Sequence, residues 1–373
     1  MLLLICSFLT AFVTTLLVVR SSASHAHLSG DTDKDQPQKF HGRVVPRIGG
    51  IGILVGVLAA CLLVVTRSMP GGPMLLGLVA CGLIAFTAGL IEDFTKKVSP
   101  RQRLLATVAA AAMAFWLVDA VIDLTGIPGM DGLALVAGIP FALTLLTVAG
   151  VSNSVNIIDG FNGLASMCVA IMLAAVAYVA FQVNDIAVMN CALVGLGAVL
   201  GFFVWNYPLG LIFLGDGGAY FLGFWVAELG ILLVHRNAEV SPVFPLLLCA
   251  YPIFETLFTM YRRRIIRGRP VGLPDATHLH SLIYRRLMRW AVGKQDAANL
   301  LRRNSMTSPY LWVLCSLSVL PAVLWWGDGA VLSAILIMFC LSYLALYRAI
   351  VHFRTPRFLL RKADHWAAPI QEH

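Results

Sequence analysis

The feature that most constrains this chain is a series of apolar runs, each about twenty residues long. An α-helix of that length spans the hydrocarbon core of a bilayer. Of the 373 residues, 59% are hydrophobic and only 12% are charged, about half the charged share of an ordinary soluble domain. This composition excludes a soluble cytosolic enzyme and an intrinsically disordered chain. It predicts an all-α, polytopic membrane protein.

Eleven runs are long and apolar enough to be predicted as membrane spans. They lie near residues 1–19, 48–66, 74–91, 104–122, 133–151, 164–182, 188–205, 218–235, 242–260, 311–326 and 331–350. The first run has no basic segment before it and Arg20 directly after it, which favours a retained span over a cleaved signal peptide. We predict a single transmembrane catalytic domain over residues 1–350, with a cytoplasmic loop at 261–310, and a basic cytoplasmic tail at 351–373.

The distribution of basic residues predicts the orientation of the spans. If the N-terminus is outside and the C-terminus inside, all 27 Lys and Arg residues except Arg67 and Arg236 fall in cytoplasmic segments, as the positive-inside rule requires. The net charge of +8 is then explained by topology and anionic lipids, so we expect membrane lipids and no nucleic acid as partners. The inner connections are also the richer ones in Asn, Asp, His and Gly, which predicts a cytoplasmic functional face.

Two inner segments combine charge with turn-forming residues at the ends of spans. The stretch His41–Gly52 is basic and Gly-rich, which suits phosphate binding, but a topology anchor with tight helix packing explains it at least as well. Glu92 and Asp93 end the third span, where two carboxylates can serve as a general base or a magnesium site. Lys96 and Lys97 provide a simpler explanation, as counter-ions of these carboxylates.

The inner connection at 152–163 holds no Lys or Arg but several amides and a carboxylate. Asn153, Asn156 and Asp159 are three residues apart, so a helical path places them on one face. Such a row without a cation favours a cation or sugar site over a simple turn cluster, although Asn, Asp and Gly also build turns.

Two later segments add polar residues to the same face. Gly215-Asp216-Gly217 opens the eighth span, where an aspartate is also an ordinary helix cap. The segment Asp275–His280 follows a run of arginines, and arginine and histidine side chains bind phosphate.

In their order along the chain, these segments resemble the polyprenyl-phosphate N-acetylhexosamine-1-phosphate transferase family, glycosyltransferase family 4. The resemblance covers roughly residues 40 to 290. It implies transfer of HexNAc-1-phosphate from a UDP-N-acetylhexosamine to undecaprenyl phosphate, with release of UMP, for cell-surface polysaccharide synthesis. It also implies Mg²⁺ or Mn²⁺ as cofactor and the bacterial inner membrane as location, and it leaves a homodimer open.

The resemblance also assigns roles by position. These are catalysis for Asp93 and Glu92, metal binding for Asn156 and Asp216, nucleotide binding for Asn153, Asp159, Asn162 and Phe213, and phosphate or sugar binding for Arg43, Lys96, His278 and His280. One member of the acidic pair would deprotonate or align the lipid phosphate, and Phe213 would stack on uracil.

Three positions depart from the pattern of the family. Glu92 stands where an aspartate is usual, Asn162 where bacterial relatives often carry aspartate, and Ser281 where a further histidine is frequent. The division of labour between Glu92 and Asp93 and the identity of the sugar therefore stay open.

Two other classes of membrane protein predict different sequence features. A transporter or flippase of an anionic lipid-linked conjugate predicts polar residues at mid-membrane, yet the candidates gather at one edge, with Glu228 and Glu255 as exceptions. A CDP-alcohol phosphotransferase would need an Asp-Gly-x-x-Ala-Arg signature, which is missing after Asp159-Gly160.

Overall fold

The computed structural model describes residues 1–21, 45–126, 136, 138–268, 277–288 and 297–352. Within these ranges every regular element is a helix, which confirms the predicted all-α fold. Arg43, Asp275 and the tail at 353–373 lie outside the described residues.

Thirteen α-helices follow one another along the described part of the chain. They are α1 (Leu2–Arg20), α2 (Gly50–Thr66), α3 (Gly72–Thr95), α4 (Pro100–Leu117), α5 (Ile139–Ile158), α6 (Leu164–Gln182), α7 (Ile186–Asn206), α8 (Gly215–Arg236), α9 (Val243–Leu248), α10 (Ala250–Tyr261), α11 (Leu279–Leu282), α12 (Ala297–Leu324) and α13 (Gly329–Val351). Two of them continue as π-helical turns, α10 through Arg262–Ile266 and α11 through Ile283–Met288.

Many of these helices have the dimensions of membrane spans. In the described part of the chain, eight are long and apolar enough to cross a bilayer, namely α1, α3, α5, α6, α7, α8, α12 and α13. The apolar α2 is slightly shorter, and α4 begins with charged residues. The protein is therefore a multi-pass helical membrane protein. The total of eleven spans and their orientation stay predictions.

The run predicted as one span at 242–260 is divided into α9 and α10, which meet at Cys249. The backbone N–H of Cys249 still donates to the carbonyl of Pro245, and that of Ile253 to Cys249, both at 3.1 Å. Pro252 has no N–H to donate, and it lies in the first turn of α10, where a helix needs none. Apolar composition alone does not reveal this break.

Helix α8 lies at the centre of the described structure. All of its residues from Gly215 to Leu233 are buried, and it packs against α2, α3, α5 and α6. Glycines permit the closest approaches, since a Cβ on Gly89 of α3 would lie 2.5 Å from the backbone nitrogen of Gly217. A Cβ on Gly50 of α2 would lie equally close to the nitrogen of Gly218. The N-terminus of α8 thus meets the ends of several neighbouring helices.

Candidate active site

The N-terminus of α8 is capped by a carboxylate from another helix. Asp93, at the end of α3, accepts hydrogen bonds from the backbone N–H of Asp216 at 2.9 Å and of Gly217 at 3.0 Å. Gly215 precedes them with φ +75°, and a Cβ there would collide with the carbonyl oxygen of Arg47. An acidic group is favourable at a helix N-terminus because unpaired N–H groups and the helix dipole meet there. Asp93 therefore holds Asp216 in place.

The Asp216 side chain joins residues from three other segments. Its Oδ1 accepts a hydrogen bond of 3.0 Å from the Asn156 amide of α5, and it lies 4.0 Å from Nη2 of Arg47. Its Oδ2 forms a salt bridge with Arg103 of α4. The structure thus brings together the two residues predicted as metal ligands, Asn156 and Asp216.

Arg47 and Arg103 were not singled out from the sequence, although both belong to predicted basic segments. Arg47 is fixed because Phe213 donates its backbone N–H to Pro46 and accepts one from Gly49, both at 2.9 Å. Arg103 also lies over the ring of Tyr220, with its guanidinium carbon 5.7 Å from the ring centroid. In the sequence, Arg47 belongs to the His41–Gly52 stretch considered for phosphate binding but received no role of its own. Arg103 was already explained by the positive-inside pattern.

Asn153 and Asn156 both contact α8 from the end of α5, so these two residues share a face as the three-residue spacing predicted. The Oδ1 of Asn153 accepts a 3.3 Å hydrogen bond from the hydroxyl of Tyr220, one turn before the Asn156 contact with Asp216. Asp159 follows the last residue of α5. Burial raises the pKa of the Asp159 carboxyl to about 7, while the nearby Arg47 guanidinium acts in the opposite direction.

The predicted histidines lie over the turn that follows α5. The ring of His280 packs edge-on against Phe161, with centroids 5.5 Å apart, and a Cβ on Gly160 would lie 3.2 Å from the His280 Nε2. The rings of His278 and His280 are stacked at 5.1 Å. The histidine segment therefore packs against the Asp159–Phe161 turn, and His278, His280 and Phe161 are all buried.

A buried glutamate orients the first of these histidines. Glu255 of α10, fully buried, places Oε1 at 2.9 Å from the His278 Nδ1 and accepts the backbone N–H of Leu279 at 3.1 Å. Its Oε2 accepts the hydroxyl hydrogen of Tyr343 at 2.5 Å. The sequence had marked Glu255 only as an unusual acidic residue within a span. Its histidine partner lies beyond a long loop, so local spacing could not reveal the pair.

The acidic pair at the end of α3 separates in space. Asp93 is almost fully buried against α8, whereas the Oε2 of Glu92 accepts the backbone N–H of Val98 at 2.7 Å, in the turn before α4. The Nζ of Lys96 donates to the backbone carbonyl of Asp93 at 2.9 Å. Glu92 and Asp93 therefore have different surroundings, and their assigned catalytic roles stay predictions.

Asn162 occupies a packing position. Its side-chain amide donates to the carbonyl of Pro208 at 3.2 Å, and its backbone N–H donates to the Asn304 side chain at 2.9 Å. Its own carbonyl accepts from the hydroxyl of Ser308 at 2.6 Å. These bonds tie the loop after α5 to α12, and the predicted nucleotide contact of Asn162 stays a prediction. Phe213 is partly exposed beside Arg47, where its predicted contact with uracil also stays untested.

The described site contains oxygen ligands and cations at the ends of several helices. Asp216 and Asn156 offer the carboxylate and amide oxygens that hard cations prefer. Arg47 and Arg103 are placed to contact anionic oxygens, since arginine matches phosphate geometry. Together with the helical fold, this arrangement defines a multi-pass membrane protein in which carboxylate and amide groups meet two arginines at the N-terminus of a buried helix.

Comparisons with known proteins agree with this description. The sequence profile of glycosyl transferase family 4 matches residues 75–234, from Leu75 within α3 to Val234 within α8. Over this part of the chain the protein resembles glycosyl transferase family 4.

Several relatives span most of the chain. It is 27% identical to the probable undecaprenyl-phosphate N-acetylglucosaminyl 1-phosphate transferase of Bacillus subtilis, over 74% of this chain and 76% of the relative. Identity is 28% with the phospho-N-acetylmuramoyl-pentapeptide-transferase of Streptococcus thermophilus, over 71% and 82% of the two chains. Identity is 25% with the undecaprenyl-phosphate alpha-N-acetylglucosaminyl 1-phosphate transferase of Thermotoga maritima, over 69% and 74%.

Proposed function

We propose that this protein transfers HexNAc-1-phosphate from a UDP-N-acetylhexosamine to undecaprenyl phosphate, which yields a lipid-diphosphate-linked sugar and UMP. The observation that carries the proposal is the cluster at the N-terminus of α8, where Asp216 meets Asn156, Arg47 and Arg103. Two of the relatives above are named as undecaprenyl-phosphate N-acetylglucosaminyl 1-phosphate transferases, and none of the three is named as a transporter.

The location of the cluster suits a lipid acceptor and a soluble donor. Asp216 lies at the end of a helix that is long enough to span the bilayer, so a lipid phosphate can reach the site from the membrane surface. Both substrates are anionic and repel each other, and fixed cationic groups reduce the electrostatic free energy needed to bring them together. Arg47 and Arg103 provide such groups, while the protein positions the two phosphates for direct displacement.

Asp216 and Asn156 are the residues that would hold a magnesium ion. Mg²⁺ is commonly held by one or two protein oxygen ligands, with substrate phosphates and water completing its coordination. Asp216 and Asn156 would supply these protein oxygens, after the Asn156 amide turns its oxygen inward. When bound, the cation would neutralise charge on the diphosphate. Activity should be lost in EDTA and return on addition of Mg²⁺ or Mn²⁺.

In this proposal, Asp93 and Glu255 position other residues of the site. Asp93 fixes the backbone of Asp216, so it aligns the metal ligand rather than transferring a proton. Glu255 orients His278, whose ring stacks on His280, and His280 packs against Phe161. These groups would hold the donor diphosphate and sugar.

We propose UDP-GlcNAc as the donor, because two of the relatives above are named as N-acetylglucosaminyl 1-phosphate transferases. Both relatives are bacterial, so we propose the bacterial inner membrane as the location. A homodimer stays a prediction.

The donor is tested with purified protein, undecaprenyl phosphate and Mg²⁺. UMP release should occur with UDP-GlcNAc, should require the lipid, and should be at least about tenfold slower with UDP-MurNAc-pentapeptide. Preference for the pentapeptide donor would overturn the choice of sugar while preserving the reaction class. Release without lipid would indicate hydrolysis and would overturn the proposed transfer.

A further inference from the structure

A cavity of about 890 Å³ lies between the ends of α10 and α13. The two helices run side by side in the same direction. Phe254 packs against Tyr343 with ring centroids 5.0 Å apart, and one turn later Phe258 packs against Tyr347 at 4.8 Å. The cavity therefore lies between two helix ends that point the same way.

The lining changes from apolar to cationic along both helices. Leu257 of α10 and Leu344 of α13 belong to the apolar part. Towards the helix ends the cavity is lined by Arg262, Arg267, Arg286 and Arg348. None of the described lining residues is an aspartate or a glutamate. This polarity matches a ligand that has an anionic head and an apolar body.

Two of the arginines are held in the wall by hydrogen bonds. Arg262 is almost fully buried and donates from Nη1 to the carbonyl of Thr277 at 2.5 Å and to the hydroxyl of Tyr347. Arg286 donates from Nη1 to the carbonyl of Ile350 at 2.6 Å. Arg267 and Arg348 are exposed. The cavity thus combines hydrogen-bonded cations in its wall with exposed cations at its rim.

The cavity is in contact with the histidine segment but is distinct from the Asp216 cluster. Thr277 lines the cavity, and the next residue, His278, is paired with Glu255. An anion bound to this wall would restrict the Arg262 side chain, which donates to the carbonyl of Thr277. It would thereby also restrict the backbone next to His278.

We propose that this cavity binds an anionic phospholipid, whose phosphate contacts the arginines and whose acyl chain lies along Leu257 and Leu344. Charge complementarity identifies the head, and the apolar part of the lining would serve no purpose for free phosphate. The membrane also supplies this ligand at high local concentration, since basic residues near the surface attract anionic lipid. The inference goes beyond the proposed transfer, because it concerns a lipid that is not consumed.

Binding is measured without turnover, by native mass spectrometry of the purified full chain. The probes are dioleoyl-phosphatidylglycerol, dioleoyl-phosphatidylcholine and inorganic phosphate. The wild-type protein should retain phosphatidylglycerol at least about tenfold better than phosphatidylcholine. The double variant Arg267→Gln/Arg348→Gln should lose this preference. The matched control Arg264→Gln/Arg101→Gln removes two exposed arginines that do not line the cavity, and it should keep the preference.

A second variant tests the apolar part. Leu344→Trp fills the cavity without changing charge, so it should also lose phosphatidylglycerol while thermal unfolding shows a folded protein. Equal retention of the two lipids by the wild-type protein, or equal losses in the test and control double variants, would overturn the proposal. Displacement of phosphatidylglycerol by millimolar inorganic phosphate would assign the site to free phosphate. Displacement by undecaprenyl phosphate would assign it to the acceptor, and either result overturns a separate phospholipid site.

Discussion

At Asp216, the carboxylate is held between the Asn156 amide and the Arg103 guanidinium. Arg103→Gln removes the cation that fixes Asp216 and that would contact phosphate oxygens. We expect turnover to fall by about 10²–10³-fold, the usual cost of losing one charge-stabilising donor in an active site. Initial rates of UMP release measure the loss. The control is Arg101→Gln, an exposed arginine in the same turn, and a similar loss there would contradict a specific role for Arg103.

Asp93 gives a second prediction at the same scale. In the wild-type protein the two carboxylate oxygens of Asp93 accept the backbone N–H groups of Asp216 and Gly217. In Asp93→Asn only one side-chain oxygen remains to accept them. A positioning role predicts a fractional loss of activity that is the same at pH 6 and pH 9. A general base would instead matter most at pH 6, where the lipid phosphate, with a second pKa near 6, is half protonated.

The measurement is the ratio of variant to wild-type rate across this pH range. Thermal unfolding should show a loss of about 1–3 kcal/mol in Asp93→Asn, because a buried N–H loses its partner. Glu92→Gln, whose partner is the exposed turn at Val98, serves as the comparison. A larger loss of activity at pH 6 would restore the base assignment.

Sequence patterns predicted the site residues unevenly. Asn156 and Asp216 were paired because the resemblance to the family assigns metal binding to both positions. Arg103 could not be found, since an inner-loop arginine already has a topological explanation. The buried position of Asn162 depends on Asn304 and Ser308 of α12, about 140 residues away, and no local pattern contains that contact.

Among the helices, α8 carries an acidic residue that the described structure leaves without a partner. Glu228 is fully buried, and neither carboxylate oxygen has a hydrogen-bond partner within the described residues. Replacing such a group by an apolar side chain of similar volume removes a desolvation cost. Glu228→Met should therefore leave activity intact and raise the thermal unfolding midpoint in detergent. A lower midpoint would show that the carboxyl group has a stabilising partner.

The connection between α6 and α7 gives a pH-dependent prediction. Burial by itself raises the pKa of Asp185, but hydrogen bonds from Arg236, the Val188 N–H and Asn237 outweigh it and hold the pKa below its usual range. A carboxyl with a depressed pKa stabilises the folded state above its unfolded pKa of about 4, and this stabilisation is lost as the pH falls through the folded pKa.

Asp185→Asn should therefore destabilise the protein by about 1–2 kcal/mol at pH 7 and by much less near pH 3. Thermal unfolding of both proteins across this range measures the difference. A difference that does not change with pH would mean that the ionised carboxylate contributes nothing. Asp119→Asn, at an exposed carboxylate, is the control.

Helices were predicted better than their interruptions. In the described part of the chain, each apolar run except the ninth falls on a single helix, because about twenty apolar residues in a bilayer have few alternatives to helical structure. The division of the ninth run at Cys249 and the π-helical turn at Arg262–Ile266 depend on packing against neighbouring helices. Pro252 lies close to this break, but a proline in the first turn of a helix does not require one.

For the whole molecule, orientation is the prediction that the helices alone cannot test. With the N-terminus outside, Arg67 lies outside and Arg101 inside. Single cysteines at these exposed positions, in a variant without the eight native cysteines, should react differently with an impermeant thiol reagent in intact cells. Only Arg67→Cys should be labelled. Labelling of Arg101→Cys before cell lysis would reverse the topology and place the Asp216 cluster away from a cytoplasmic donor.

The most direct test of the account follows the phosphorus that is transferred. UDP-GlcNAc labelled in the β-phosphate is incubated with purified protein, undecaprenyl phosphate and Mg²⁺, and the lipid is extracted. The label should enter the lipid fraction while unlabelled UMP is released, and Asp216→Asn should reduce the transfer at least about 10²-fold whereas Glu239→Gln, in an exposed connection, should not. Label that stays in the aqueous phase with the wild-type protein would contradict phospho-sugar transfer.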